Sequence, residues 1–218
     1  MEEVVHLLHG IIGFGAGAAA VAALIVRKGG TLHRRAGWAF VAGMIFAALT
    51  TWYFMIARPL PLAMVSSTLT IYALGMALFA VNPHWPGARR WEWLFFAVLG
   101  TVMLGMLATA ANLYRSGSNF FPAPLAMFAV SLIFAVIDLR YMRSARVAGV
   151  RRVQRHALFM ALAVAQMVMA PTIIVAPDLG VPVPVIVFGS LLLVPLIYFG
   201  FAPAARRAAA RAVAADPI

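Results

Sequence analysis

Long apolar runs recur along the whole chain and are separated by short polar or turn-forming segments. Each run has roughly the 20 residues that a helix needs to cross the hydrocarbon core of a bilayer, the fifth and sixth only just. Strands of a membrane barrel would be about half as long and would alternate in polarity. The pattern therefore predicts an all-α integral membrane protein, a seven-transmembrane-helix bundle. The predicted spans are Val4–Val26, Gly37–Ala57, Leu62–Val81, Trp93–Tyr114, Pro122–Leu139, Ala157–Val175 and Val181–Phe201.

No polar stretch between these spans is long enough to fold as a separate domain. We therefore predict one transmembrane domain over residues 1–203, followed by a short basic, alanine-rich tail over residues 204–218. Composition agrees, because 64% of the residues are hydrophobic and 11% are charged, whereas a soluble domain carries about 25% charged residues. A soluble enzyme with a membrane anchor is excluded. The absence of cysteine also excludes disulfides and cysteine-ligated metal sites.

The basic residues divide unequally between the two sides of the predicted bundle. Of the 17 Lys and Arg residues, 15 fall in the first, third and fifth connections and in the tail, and only Arg58 and Arg115 fall on the other side. Basic loops stay in the cytoplasm, so the amino terminus is predicted outside and the carboxyl terminus in the cytoplasm. Topology and anionic lipid headgroups account for the net charge of +11. No nucleic-acid partner is predicted.

Two histidines stand at the entrances of the second and sixth predicted helices, each within a basic segment. His33 precedes Arg34, and His156 follows Arg155. Two imidazoles at equal depth on separate helices can ligate one haem b iron axially, and the neighbouring arginines would suit the haem propionates. Alternatively, both histidines are interfacial residues that face lipid headgroups. The residues leave the two interpretations open.

One carboxylate, Asp138, lies within a predicted span, near the cytoplasmic end of the fifth helix. A carboxylate at this depth is costly unless it is paired or hydrated, so it marks a salt bridge, a proton site or an anchor for a polar headgroup. The arginines that follow it on its own helix are off its face. We expect its partners to come from the second and sixth helix entrances, namely His33, Arg34 and one of Arg155 or His156.

The first predicted helix carries small residues and two histidines at helical spacing. Gly10, Gly13 and Gly17 would allow another backbone to approach closely, which predicts that this helix is buried among others. His6 and His9 would point into the bundle near its outer surface and hydrogen-bond to neighbouring helix ends. An i, i+3 pair is an incomplete metal site for which Asp178 is the one obvious third ligand, so no metal is predicted.

The segments His6-Leu7-Leu8-His9-Gly10 and Lys28-Gly29, followed by His33-Arg34-Arg35-Ala36-Gly37, carry a family resemblance. The chain resembles a family of uncharacterised bacterial multi-pass membrane proteins that have a first-helix His and a Lys-Gly…His-Arg-x-x-Gly motif before the second helix. Asp138-Leu139-Arg140 and the basic run into His156 are similar as well. The resemblance implies a multi-helix integral protein of a bacterial inner (cytoplasmic) membrane. It adds interest to these polar residues but implies no activity.

The chain carries no P-loop, nucleophile elbow or His-Glu-x-x-His motif. We therefore predict non-enzymatic binding of a lipid-like ligand or of a membrane partner, which includes a second copy of this chain. One alternative is a redox protein that holds one haem b or a quinone between His33 and His156. The other alternative is a small transporter or proton-coupled carrier that uses Asp138, although inverted repeats and paired broken helices are not evident.

Overall fold

The computed structural model describes residues 2–57, 60–144 and 149–215, and all its regular elements are helices. This confirms the all-α class. Arg58 and Arg146 lie outside the described residues. The helices are α1 (Glu2–Ile25), α2 (Thr31–Ala57), α3 (Pro61–Val81), α4 (Ala88–Arg115), α5 (Pro122–Arg143), α6 (Val150–Val175) and α7 (Val183–Ala215), with a short 3₁₀ helix at Ala176–Leu179.

Six of the described helices, α1 to α6, are long and apolar enough to cross a bilayer, as in a multi-pass membrane protein. In α7 the apolar stretch is the shorter segment Val185–Phe201. Helix α7 continues beyond this stretch to Ala215, so most of the basic tail is helical.

Three helices begin well before the apolar runs that predicted them. Helix α2 begins at Thr31, α4 at Ala88 and α6 at Val150, five or more residues upstream of the predicted spans. Hydropathy marks the part of a helix that would lie in hydrocarbon, whereas arginine is a good helix former and extends a helix into the interface. Several basic residues outside the predicted spans, such as Arg34, Arg89 and Arg155, therefore lie on helices. Some of them can point into the bundle.

Helices α3 and α6 form the centre of the bundle. Helix α3 packs against α2, α4 and α6, and α6 packs most extensively against α7. Helix α5 packs mainly on α4 and makes a smaller contact with α7. The core between α3 and α6 is filled by large apolar side chains such as Leu69, Met76, Phe159 and Leu162, all of which are buried.

The prediction that α1 is buried among other helices is wrong. Only 11% of its most apolar stretch is buried, against 56% for α3. A Cβ atom at Gly10 or Gly13 would meet nothing within 4 Å, and one at Gly17 would make an ordinary van der Waals contact, 3.6 Å, with Met167 Sδ of α6. Close helix packing occurs instead where Gly43 of α2 faces Ala16, because a Cβ at position 43 would lie 2.9 Å from the Ala16 Cβ. Helix α1 has α2 as its main neighbour, so most of its surface faces outward.

This packing predicts opposite effects for two substitutions of glycine by leucine. Gly43→Leu would force the backbones of α1 and α2 apart, and overpacking of this kind costs about 1–3 kcal/mol. We expect a clear fall in the melting temperature of the detergent-solubilised protein. Gly13→Leu is the matched control, and it should leave the melting temperature unchanged or slightly raised because leucine is the better helix former. Equal losses in both variants would contradict this account of the packing.

Candidate functional site

A buried ionic cluster lies at the end of the bundle where α4 and α6 begin and α3 and α5 end, which we call the basic end. Its centre is Arg155, which is 4% exposed. The Arg155 Nε donates to Asp138 Oδ1 at 2.7 Å, and Nη2 lies 2.5 Å from the same oxygen. Nη1 donates to Glu92 Oε1 at 2.5 Å. Two carboxylates from different helices thus share one guanidinium.

Further donors complete the cluster. The Tyr72 hydroxyl donates to Asp138 Oδ2 at 2.8 Å, and Arg89 Nη1 lies 3.3 Å from Glu92 Oε2. The Arg155 guanidinium also stacks on the ring of Tyr141, at 4.1 Å from the ring centroid, where the negative face of the ring attracts it. Every carboxylate oxygen in the cluster therefore has a partner.

The charges of the cluster balance. Asp138 and Glu92 carry two negative charges, and Arg155 and Arg89 carry two positive ones. Unpaired, any of the buried members would be very costly inside an apolar bundle. The cluster connects four helices, α3 through Tyr72, α4 through Glu92, α5 through Asp138 and α6 through Arg155.

Of the partners expected for Asp138, the structure places Arg155 on it and the others elsewhere. Arg34 is exposed, and His33 contacts the end of α1. His156 is turned toward the end of α3. The expected grouping with His33 and Arg34 is therefore corrected, because the second oxygen of Asp138 is occupied by the Tyr72 hydroxyl and needs no further cation.

Glu92 and Tyr72 are the two members of the cluster that sequence reasoning missed. The fourth predicted span begins at Trp93 and leaves out Glu92, whereas α4 begins at Ala88 and Glu92 is buried. Asp138 is thus not the one carboxylate within a helical span. Two features of the sequence could have indicated these residues. Arg89 and Glu92 have i, i+3 spacing, and Tyr72 lies in the middle of an apolar run, away from the interface.

His33 and His156 occupy equivalent positions in two helix pairs. The Nδ1 of His33 donates to the carbonyl of Ala23 near the end of α1, and the Nδ1 of His156 donates to that of Ala77 near the end of α3, both at 3.0 Å. Because a carbonyl only accepts, each Nδ1 carries a proton, and in the neutral imidazole each Nε2 keeps its lone pair.

Each of these helix ends is also capped by a cation. Lys28 Nζ donates to the carbonyls of Ala23, at 2.9 Å, and Leu24. Arg152 donates from Nε to Ala80 at 2.9 Å and from Nη2 to Val81 at 3.2 Å. The carbonyl ends of helices attract positive charge, so both contacts stabilise the helix termini. Partial burial lowers the pKa of the Lys28 ammonium below its ordinary value.

A cavity of about 400 Å³ opens beside the ionic cluster. The ends of α3 and α5, the starts of α4 and α6, and the α3–α4 connection form its walls. The lining joins basic, aromatic and acidic groups, and two of its members, Glu92 and Tyr141, also contact Arg155. The lining residues are Phe79, Pro83, His84, Arg89, Glu92, Tyr141 and Arg152.

At the opposite end of the bundle, the two histidines of α1 contact α2. The His6 ring stacks on Phe54 with centroids 3.9 Å apart, and His9 Nδ1 lies 2.7 Å from the hydroxyl oxygen of Thr50. Asp178 belongs to the 3₁₀ helix. Within the described ranges, no three His, Cys, Asp or Glu side chains come together as a group that could hold a metal ion.

Comparison of the chain with protein-family models, with curated proteins and with solved structures found no match. The resemblance to bacterial multi-pass membrane proteins therefore stays a prediction. Because no related protein indicates a function, the functional proposal is argued from the geometry of the basic end.

The ionic cluster predicts that loss of the Arg155 guanidinium destabilises the protein far more than loss of a surface arginine. Arg155→Met would leave two buried carboxylates without their shared cation, and breaking a buried pair in this way costs about 3–5 kcal/mol. The melting temperature in detergent should fall by at least about 6 °C. Arg151→Met, an exposed arginine on the same helix, is the control and should change it little.

A double-variant cycle tests whether the loss comes from the pair itself. Asp138→Asn removes one of the two charges that Arg155 neutralises, so Arg155→Met should cost less in that background than in the native chain. Strictly additive losses would show that the pair of Asp138 and Arg155 does not itself stabilise the bundle.

Proposed function

We propose that this protein binds the anionic headgroup of a lipid-like molecule, without catalysis, at the cytoplasmic ends of its helices. In this proposal the chain crosses a bacterial inner membrane seven times, with the apolar part of α7 as the seventh crossing. The amino terminus is outside, and the basic end faces the cytoplasm. The unequal distribution of Lys and Arg supports this orientation. The family resemblance supports the bacterial membrane.

The observation that carries the proposal is the composition of the cavity at the basic end. Arg89 and Arg152 stand on its wall together with the rings of Phe79 and Tyr141. Guanidinium groups bind phosphate and carboxylate oxygens with paired hydrogen bonds, and the rings offer apolar surface to the part of the ligand next to the headgroup. Basic pockets between transmembrane helices on the cytoplasmic side are typical sites for anionic headgroups.

The surrounding contacts hold these cations in place before a ligand arrives. Arg152 is fixed on the carbonyls of Ala80 and Val81. Arg89 is paired with Glu92, which Arg155 holds in turn. A preorganised charge loses less conformational entropy on binding than a mobile surface arginine.

The state of the carboxylates supports binding without catalysis. Both oxygens of Asp138 are engaged by Arg155 and Tyr72, and those of Glu92 by Arg155 and Arg89. A general base must offer an oxygen within reach of the proton that it removes. The same saturation of Asp138 is the reason that we do not propose the proton-coupled carrier.

Titration with lipids tests the proposal. We expect phosphatidylglycerol, added to the protein in dodecyl maltoside, to raise its melting temperature in a saturable way. Phosphatidylcholine, which lacks net charge, and inorganic phosphate, which lacks the apolar part, should do so weakly or not at all. A stabilisation of equal size by all three additives would overturn the proposal.

Two arginine variants locate the binding site. Arg152→Gln should raise the phosphatidylglycerol concentration at half-saturation at least about tenfold, because it removes one charge-assisted contact with the headgroup. Arg151→Gln removes the same charge from an exposed neighbour and should change this concentration less than twofold. Each variant is compared with its own lipid-free melting temperature, since Arg152 also caps α3. Equal effects of the two variants would place the binding elsewhere.

One observation favours a second candidate, a haem b held between His33 and His156. Histidines that ligate metals commonly donate their other ring N–H to a carbonyl, which fixes the ring and leaves Nε2 to the metal. Both histidines have this arrangement at Nδ1. Protein supplied with haemin should then show a Soret band that His33→Ala and His156→Ala each abolish and that His84→Ala leaves intact. No Soret band above that of free haemin would remove this candidate.

A further inference from the structure

A second group of polar side chains lies deeper in the bundle than the ionic cluster. Ser131 of α5 and Gln166 of α6 are 0% and 1% exposed. Across the described part of the chain, Ser131 Oγ and Gln166 Nε2 are the two buried side-chain polar atoms without a hydrogen-bond partner. Native structures rarely leave such groups unpaired, so each one calls for an explanation.

Ser131 and Gln166 differ from most hydroxyl-bearing residues in the helices. Most of those donate to a carbonyl three or four residues earlier on their own helix, which satisfies them locally. Ser66 instead donates to the Oε1 of Gln166 at 2.7 Å. The locally bonded residues are Thr50, Thr51, Ser67, Thr68, Thr70, Thr101, Thr109 and Thr172.

The contact with Ser66 involves the oxygen of the Gln166 amide. In the structure the Ser66 hydroxyl donates to Gln166 Oε1, so the NH₂ group is the end that remains available. Gln166 therefore presents a donor, and Ser131 presents a hydroxyl that can donate as well. Each of the two groups can therefore bind a hydrogen-bond acceptor.

A layer of aromatic rings separates this level from the basic end. Gln166 lies three turns beyond Arg155 on α6, about 16 Å along the helix axis. Ser131 lies two turns from Asp138 on α5, on the same face. Between the two levels, the ring of Phe159 contacts those of Tyr72 and Phe134, with centroids 5.7 and 5.8 Å apart. The deeper level is thus distinct from the cavity of the proposed headgroup site.

We propose that the unpaired donors of Ser131 and Gln166 each bind the acceptor oxygen of a small uncharged molecule buried in the bundle. A charged ligand is excluded, because no counter-charge is among the contacts of Ser66, Ser131 and Gln166 in the described structure. The near-complete burial of the two donors requires a compact group. Two sources supply this chemistry, a resident water molecule and the carbonyl oxygen of an apolar molecule from the bilayer.

The sign of a stability change tests the proposal. If an acceptor occupies the site, Ser131→Ala removes a made hydrogen bond and lowers the melting temperature in detergent. If the hydroxyl is unpaired, the same change removes an unsatisfied group and raises it. Ser67→Ala is the matched control, since Ser67 is also buried and bonds its own helix. The proposal expects a larger fall for Ser131→Ala than for Ser67→Ala, and an unchanged or raised melting temperature would overturn it.

Two further measurements test the proposal without relying on the melting temperatures of the variants. A structure at a resolution that shows water should reveal density within hydrogen-bond distance of Ser131 Oγ or Gln166 Nε2, and clear absence of such density would overturn the proposal. Mass spectrometry of an organic extract then distinguishes the sources. A stoichiometric carbonyl compound that is lost in Ser131→Ala identifies a bilayer molecule, whereas density without such a compound identifies water. Neither result depends on the headgroup cavity.

Discussion

The shared use of one guanidinium by two carboxylates determines how the basic end of this bundle is built. Helix association inside a bilayer gains little from the hydrophobic effect, since lipid tails are as apolar as the side chains. Packing and buried polar contacts must therefore decide which helices meet. Helix α5 packs mainly on α4, yet Asp138 binds Arg155 of α6 and Tyr72 of α3. This cluster positions α5 against the central helices, and its outer member Arg89 stands on the wall of the cavity.

Both proposed sites depend on this arrangement in different ways. Glu92 connects the headgroup cavity to the buried cluster. Arg89 on the cavity wall pairs with Glu92, and Glu92 shares Arg155 with Asp138. The deeper site lies beyond the rings of Tyr72, Phe134 and Phe159, on the same helices that the cluster brings together. The two sites share a framework but no ligand-binding residue.

The sequence predicted the features that depend on the cost of burial, namely the long apolar helices and the pairing of a buried carboxylate. It did not predict contacts in which a side chain binds a backbone carbonyl or a residue near the helix ends. Apolar length predicted the six long helices, and the cost of a buried carboxylate identified Asp138 and the need for a partner such as Arg155. Hydropathy could not show that α4 reaches back to Ala88 and buries Glu92. The contacts of His33 and His156 were hidden because carbonyl oxygens carry no sequence signal. The glycines of α1 indicated close packing, but the tight contact involves Gly43 of α2.

The position of Asp138 and Arg155 in consecutive helices bears on how the chain enters a membrane during synthesis. The two residues are 17 positions apart, and at the usual speed of translation this is a delay of roughly 1–3 s. A carboxylate alone in an apolar environment is costly, whereas Asp138 and Arg155 together carry no net charge. Pairing with Arg155 therefore lowers the cost of keeping Asp138 in an apolar environment once α6 has been made. Glu92 on α4 also precedes Arg155 along the chain, so both carboxylates are made before their shared cation.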